Sequence, residues 1–187
     1  MKVTNNSETL CLVTGATGYV GGRLVTALLE QGYRVRVLVR NASRISLHPW
    51  VGQVEIVDGD AENVDVLNAA LKGIDVAYYL IHSLMMKNDF EESEIELARK
   101  FAAAAERQKT GRIVYLGGII NDDEKLSPHM SARNQTGEIL RSSKVPTIEF
   151  RAGVVIGSGS ASFEMLRYLT ERLPIMTTPK WVQNRIQ

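Results

Sequence analysis

Several features that mark other classes of protein are scarce in this sequence. Cys11 is the single cysteine among 187 residues, so no disulfide can form within the chain. No apolar run is long enough to cross a bilayer, and the opening MKVTNNSE lacks the apolar segment of a secretory signal. Lys plus Arg number 22 and Asp plus Glu 21, so there is no basic excess to bind nucleic acid or anionic membranes. We therefore predict a cytoplasmic protein that binds neither, with Cys11 as a small buried residue.

The central feature of the sequence is a glycine loop between an apolar run and an amphipathic segment. Residues 10–13 predict a buried strand, and apolar residues recur at helical spacing over residues 20–29. Between them lie three glycines spaced three residues apart: Gly15, Gly18 and Gly21. In a strand–loop–helix unit they permit a tight turn, close approach to a pyrophosphate and close packing of the helix. We predict a dinucleotide whose phosphates lie on the helix N–H groups, the alternative being a glycine-rich turn without a ligand.

The second strand, predicted at residues 33–39, is followed by arginine. Arg40 comes directly after this strand and Arg44 four residues later, with no acid between Tyr33 and Trp50. At this position an acid would bind the ribose 2′-hydroxyl, whereas arginine suits a 2′-phosphate. The sequence predicts NADP(H) in preference to NAD(H). The alternative is that both arginines are solvated surface charges.

Strand and helix patterns alternate along the rest of the chain. Further strands are predicted at residues 54–57, 75–81, 112–116 and 145–150, and helices near 64–71, 90–108, 127–143 and 162–172. This alternation predicts an α/β fold, a doubly wound parallel sheet of the Rossmann type, with order 3-2-1-4-5-6 and helices on both faces. Residues 1–187 are expected to form a single domain. The extended stretch after Pro174 suggests a domain truncated at its C-terminal end, without its substrate-binding part.

Two segments at the predicted strand ends could face a ligand. Asp60 follows the third strand, where it could reach the amino edge of an adenine or cap the next helix. Residues 82–89 predict a mobile loop beside the nicotinamide, because ligands of open parallel sheets bind at the carboxyl ends of strands. His82 is the residue in this loop that could exchange a proton near neutral pH.

The motifs TGATGYVG, the arginine after the second strand and VDGDA together resemble the extended and atypical short-chain dehydrogenase/reductases. More narrowly, AYYLIHS, VYLGG and GVVIGSGSASFEMLRYL are similar to NmrA-like NAD(P)H-binding proteins often labelled nucleoside-diphosphate-sugar epimerases, in a bacterial subgroup with an additional C-terminal domain. The resemblance implies these cofactor-binding positions: Gly15, Thr17, Gly18, Tyr19, Val20, Gly21, Arg40, Asp60, Ala61, Leu80, Ile81, His82, Ala152, Gly153 and Val154. Arg44, one helical turn after Arg40, and Gly117, directly after the fifth predicted strand, are further candidates for the cofactor site.

The resemblance also implies a reduced catalytic centre. Ordinary members use a serine after the fifth strand, then a tyrosine and a lysine four residues apart on the next helix. Here Gly117 or Gly118 replaces the serine, and His129 and Arg133 replace the other two. Because histidine titrates below tyrosine, His129 would act as a shared acid and base, with His82 as the other candidate. A solvated residue at the helix end is the alternative for His129.

Two functions are compatible with this set of residues. The first is an NADP(H)-dependent reductase or epimerase-like enzyme acting on an unknown small molecule, and the second is a non-catalytic NADP(H) sensor or regulator. Tyr168 and Arg172 come nearest to a substitute Tyr–Lys pair, but we interpret them as packing residues. No metal site is predicted, and a homodimer is left open.

Overall fold

The computed structural model describes residues 6–81, 90–119, 127–153 and 155–173. Its strands are β1 (Leu10–Thr14), β2 (Arg34–Val39), β3 (Glu55–Asp58), β4 (Val76–Tyr79), β5 (Arg112–Gly118) and β6 (Thr147–Ala152). Its α-helices are α1 (Tyr19–Glu30), α2 (Val64–Leu71), α3 (Phe90–Arg107), α4 (Pro128–Ser142) and α5 (Ala161–Arg172). Short 3-10 turns occupy Asn6–Glu8, Ala42–Ile45 and Val51–Gln53.

The six strands form one parallel sheet in the order β3-β2-β1-β4-β5-β6. The predicted fold class and strand order are therefore confirmed. Because the strands are parallel, their carboxyl ends lie along a single edge of the sheet, the edge where ligands of this architecture bind. The reversal of strand order falls between β1 and β4, directly beside the glycine loop.

Hydrophobic residues cover both faces of the sheet, because neighbouring residues of a buried strand point to opposite faces. Leu12 belongs to the cluster formed with α2, α3 and α4, whereas Cys11 and Val13 belong to the cluster formed with α1. Cys11 is 1% exposed, and burial raises the pKa of its thiol from 9.0 to about 11. Cys11 is a core residue, as predicted.

The helix after β3 is capped differently from the prediction. Asn63 is its N-cap, and its side-chain oxygen accepts hydrogen bonds from the backbone N–H of Asp65 (2.9 Å) and Val66 (3.5 Å). Asp60 instead accepts a hydrogen bond from the backbone N–H of Glu62 (3.0 Å) in the preceding turn. The interpretation of Asp60 as a helix cap is therefore wrong, because an additional turn separates it from α2.

Tyr168 and Arg172 of α5 contact each other on the surface of the molecule. The Tyr168 side chain is exposed, and the Arg172 guanidinium carbon lies 5.2 Å from the centre of its ring. The pair does pack together, but through a cation–π contact at the surface rather than in the core.

Candidate cofactor site

The loop from β1 to α1 turns sharply at Gly15. This residue has a φ of 70°, a backbone conformation that residues with a side chain rarely adopt. A Cβ at this position would also lie 2.6 Å from the backbone oxygen of Leu80. Gly21 lies so close behind the loop that a Cβ there would be 2.2 Å from the oxygen of Gly15. The first turn of α1 is therefore pressed directly against the loop, and only glycine permits this at both positions.

The N-terminus of α1 carries no side-chain cap. Its N-cap residue is Gly18, which makes no side-chain hydrogen bond. The first N–H groups of a helix lack partners within the helix, and together with the helix dipole they favour an anion. Thr17 and Gly18 are exposed at the tip of the loop, whereas Ala16 is fully buried and anchors it. This geometry is suited to a phosphate group.

Thr14 joins the ends of β1 and β4 beside the glycine loop. Its hydroxyl donates to the oxygen of Tyr78 (2.9 Å) and accepts from the backbone N–H of Leu80 (3.0 Å), and the residue is fully buried. This pair of bonds holds Leu80 next to Gly15 at the point where the sheet order reverses. Thr14 was not among the predicted site residues, because its only local signal is its position as the last residue before the glycines.

Arg40 and Arg44 lie at the β2 side of the same edge. Arg40 follows the last residue of β2, Arg44 lies in the 3-10 turn Ala42–Ile45, and both side chains are exposed. Within the described part of the chain neither guanidinium has a hydrogen-bond or ion-pair partner. By contrast, Arg34 and Arg36 of β2 are both paired with Glu55. Two cations are thus available where the adenosine half of a dinucleotide would lie.

The turn that follows Arg40 is fixed by two side chains that were not predicted to belong to the site. The Asn41 side-chain oxygen accepts from the backbone N–H of Ser43 (2.9 Å), and an Asp58 carboxylate oxygen accepts from that of Ala42 (3.3 Å). Asn41 is the cap of the 3-10 turn, so its signal was a residue type typical of helix starts. These bonds determine how the chain leaves β2.

The remaining predicted cofactor residues differ in exposure. Asp60 is exposed beyond the end of β3, whereas Ala61 is buried in the core. Leu80 and Ile81 are half-buried directly after β4. On the far side of the sheet, Gly117 lies in β5, Ala152 ends β6, and Gly153 is exposed beyond it. His82 and Val154 lie outside the described residues.

A side chain at either of the two glycines at the expected serine position would require a neighbouring side chain to move. A Cβ on Gly117 would be 2.6 Å from a Glu149 carboxylate oxygen, and one on Gly118 would be 2.6 Å from the terminal methyl of Met130. The Glu149 side chain is itself held by ion pairs with Arg141 and, at 3.1 Å, with Arg151. The space that a serine would use at Gly117 is therefore closed by a fixed carboxylate.

His129 and Arg133 lie on the first half of α4 and are half-buried. Arg133 donates to the oxygen of Leu116 near the carboxyl end of β5 (3.2 Å), and the Tyr115 hydroxyl donates to the Arg133 backbone oxygen (3.0 Å). Burial raises the pKa of Tyr115, and the adjacent Arg133 cation partly opposes this. The Nε of Arg133 is buried without a hydrogen-bond partner in the described structure. Arg133 thus places a cation with a spare donor close to the end of β5.

Among the described residues, no group of His, Cys, Asp and Glu side chains could hold a metal ion. No helix within the described ranges is both long enough and apolar enough to span a membrane.

Comparisons with known proteins agree with this geometry. A profile of the family described as NAD(P)H-binding matches residues 15–147. A ceramide reductase of Caulobacter vibrioides is 29% identical over 168 residues, which cover 88% of this chain and 52% of that protein.

Solved structures share the fold. The Citrobacter sp. triphenylmethane reductase complexed with NADP(H) gives a TM-score of 0.69 at 23% identity over 87% of this chain and 55% of that one. A nucleoside-diphosphate-sugar epimerase from Staphylococcus aureus gives 0.63 at 20% identity over 76% and 50%. The chain spans about half the length of these three proteins. It belongs to the NAD(P)H-binding family, and it shares the fold of the reductase and the epimerase, as the expected resemblance implied.

Proposed function

We propose that this domain binds NADP(H) along the carboxyl edge of its sheet, with the diphosphate on the N-terminus of α1. The observation that carries the proposal is the uncapped first turn of α1, which lies close to Gly15 because Gly21 has no side chain. Free N–H groups, a helix dipole and an exposed loop tip together provide donors for a diphosphate. Residues 1–187 serve in this proposal as one nucleotide-binding domain.

The preference for the phosphorylated cofactor is assigned to Arg40, with Arg44 as a second cation. A guanidinium can donate two parallel charge-assisted hydrogen bonds to a phosphate, and the Arg40 side chain is not engaged by another described residue. Arg34 and Arg36 cannot take this role because Glu55 already pairs with them. Asp60 is proposed to approach the adenine, since its side chain is exposed and does not cap α2.

Titration calorimetry with NADPH and NADH tests the role of Arg40. Arg40→Asp should weaken NADPH binding by roughly tenfold or more, since a hydrogen bond to a charged group contributes about 1.5–3 kcal/mol, while NADH binding changes little. Arg112→Asp is the matched control, because it makes the same charge change at the amino end of β5, away from the carboxyl edge where the nucleotide is proposed to bind. If the ratio of the two affinities is the same in all three proteins, Arg40 does not read the 2′-phosphate.

We further propose that the intact protein is a reductase or epimerase-like enzyme acting on a small molecule. His129 would move the proton, and Arg133 would provide a cation near the nicotinamide, because both lie on α4 beside the end of β5. The ceramide reductase and the triphenylmethane reductase are consistent with hydride chemistry on this scaffold. NADPH oxidation with a panel of carbonyl compounds should be detectable and should fall with His129→Ala. No oxidation with any of them would argue against an enzyme.

A second candidate function, binding of NADP(H) without turnover, is favoured by a specific observation. At Gly117, the space that a serine side chain would use is filled by the Glu149 carboxylate, which two ion pairs hold in place. A sensor or regulator of this kind would show a melting temperature that rises with NADP(H) concentration, because a ligand of the folded state stabilises it. It would show no oxidation of NADPH in the carbonyl panel.

The location and assembly of the protein belong to the same proposal. We propose a cytoplasmic protein, in keeping with a buried Cys11 that requires no oxidising compartment. Its proposed partners are the nucleotide and a small-molecule substrate, and a homodimer is the assembly to test. Light scattering on the intact protein distinguishes a monomer from a dimer.

A further inference from the structure

We infer that Tyr19 and Arg23 of α1 form a latch that positions the turn at residues 157–160 beside the cofactor diphosphate. The inference rests on the proposed NADP(H) site and adds to it a role for two side chains in the first two turns of α1. The latch consists of five residues: Tyr19, Arg23, Gly157, Ser158 and Gly159. Its role is to hold the β6–α5 turn in place and so slow the release of the nucleotide.

The turn reaches α1 from the far side of the sheet. Strands β4 and β5 separate β1 from β6, so three strand spacings of about 4.8 Å, or roughly 14 Å, lie between the two ends. The chain after β6 nevertheless contacts the first turns of α1. It must therefore pass along the carboxyl edge of the sheet, where the proposed nucleotide lies.

The first half of the latch is a close fit between an aromatic ring and two glycines. A Cβ on Gly157 would lie 2.2 Å from the Tyr19 hydroxyl oxygen, and one on Gly159 would lie 3.8 Å from the ring. Gly159 also has a φ of 88°, a conformation that favours glycine. The backbone of the turn thus lies directly against the Tyr19 hydroxyl, and a side chain at 157 would force the ring or the turn to move.

The second half of the latch is Arg23, one helical turn after Tyr19. Its Nη2 donates to the backbone oxygen of Ser158 (2.9 Å), and its guanidinium carbon lies 4.7 Å from the centre of the Tyr19 ring. The ring contact orients the planar guanidinium, and the hydrogen bond ties the turn to α1. Both contacts use the same helix whose first N–H groups would bind the diphosphate.

The turn itself is internally braced, so it moves as a unit. The backbone N–H of Ser160 donates to the oxygen of Gly157 (2.9 Å), and that of Gly159 donates to a Glu164 carboxylate oxygen (3.0 Å). The Ser160 hydroxyl accepts from the backbone N–H of Phe163 and caps α5. Loss of the latch would therefore displace the whole turn from the diphosphate rather than unravel it.

The test is a double-mutant cycle on the rate of NADPH release from the intact protein. Stopped-flow displacement of the fluorescent cofactor measures this rate. Gly157→Ala adds no charge but collides with the Tyr19 hydroxyl, so it should raise the release rate about tenfold. In the Tyr19→Phe background the nearest ring atom is 3.3 Å away, and the same change should raise the rate less than about twofold relative to Tyr19→Phe alone. Arg23→Lys, which keeps the charge but loses the planar guanidinium, should raise it about threefold.

Hydrogen exchange of residues 157–164 provides the readout that a purely structural role would not move. Addition of NADPH should slow exchange there in the wild-type protein and have little effect in Gly157→Ala. If the effects of Gly157→Ala and Tyr19→Phe on release are additive, or if Gly157→Ala lowers only the melting temperature, the latch does not position the turn for the cofactor. A wild-type protein that fails to bind NADPH would overturn the proposed function and the latch together, whereas binding with an additive cycle overturns the latch alone.

Discussion

The substitution Gly21→Ala would test the packing of α1 against the glycine loop. Its methyl group would lie 2.2 Å from the oxygen of Gly15 and 2.9 Å from the Cα of Ala16. Both obstacles are backbone atoms, so no side-chain rotation relieves the contact. The start of α1 would have to move by about 1 Å to restore an ordinary separation.

The expected loss of stability follows from two opposing effects. Overpacking of this kind costs about 1–3 kcal/mol, and here the backbone obstacle favours the upper part of that range. Replacing a helical glycine by alanine returns about 0.5–1 kcal/mol. The net destabilisation is about 2 kcal/mol, or a melting temperature lower by about 4–8 °C for a domain of this size.

Cofactor binding should weaken as well as stability. A displacement of about 1 Å moves the first N–H groups of α1 out of range of at least one phosphate oxygen. Loss of one such charge-assisted bond weakens NADPH binding roughly 10- to 100-fold. Titration calorimetry and thermal melts with and without NADPH measure the two effects separately.

Gly22→Ala is the matched control for this experiment. Its methyl group would lie 3.3 Å from the oxygen of Ala16, a distance that small adjustments relieve. We expect a melting temperature within about 2 °C of the wild type and NADPH affinity within about twofold. If Gly21→Ala behaves like Gly22→Ala in both assays, the first turn of α1 does not form the proposed phosphate site.

Three further predictions concern other parts of the fold. Arg36→Ala should lower the free energy of unfolding in urea by about 2 kcal/mol, because Arg36 binds carbonyl oxygens at the end of α2 as well as Glu55. Arg34 is more exposed and pairs with Glu55 alone, so Arg34→Ala should lower it by less than about 0.5 kcal/mol, and equal losses would contradict this. Lys109 has a φ of 55°, so Lys109→Gly should stabilise the protein by about 0.5–1 kcal/mol, and an unchanged urea midpoint would argue against strain there. The raised thiol pKa of Cys11 provides stability that is present below pH 9 and lost as pH rises towards 11. Between pH 8 and 10 the free energy of unfolding should therefore fall by about 1 kcal/mol more in the wild type than in Cys11→Ala. Parallel profiles of unfolding free energy against pH would refute this.

The fold and the glycine loop could be predicted because the signals for both are local. Alternating strand and helix patterns with right-handed crossovers leave few possible strand orders, and the observed order is among them. The conformations required at Gly15 and Gly21 likewise depend on atoms within one strand–loop–helix unit, apart from the contact of Gly15 with Leu80. Arg40 could be placed because its position is counted from the end of β2.

Contacts between distant segments could not be predicted. Glu149 closes the space beside Gly117, and Tyr19 packs on Gly157, yet neither pair shares a local pattern in the sequence. The interpretation of Asp60 as a cap of α2 was wrong for a different reason, because the observed cap is Asn63. Both are residue types that cap helices, and only the additional turn between them decides which one does.

The most direct test of this account is a crystal structure of the protein grown with saturating NADPH. We expect the diphosphate to accept hydrogen bonds from the backbone N–H groups at the start of α1, with the 2′-phosphate within hydrogen-bond distance of Arg40. Nucleotide bound elsewhere on the molecule, or a first turn of α1 that contacts no phosphate, would contradict the central claim.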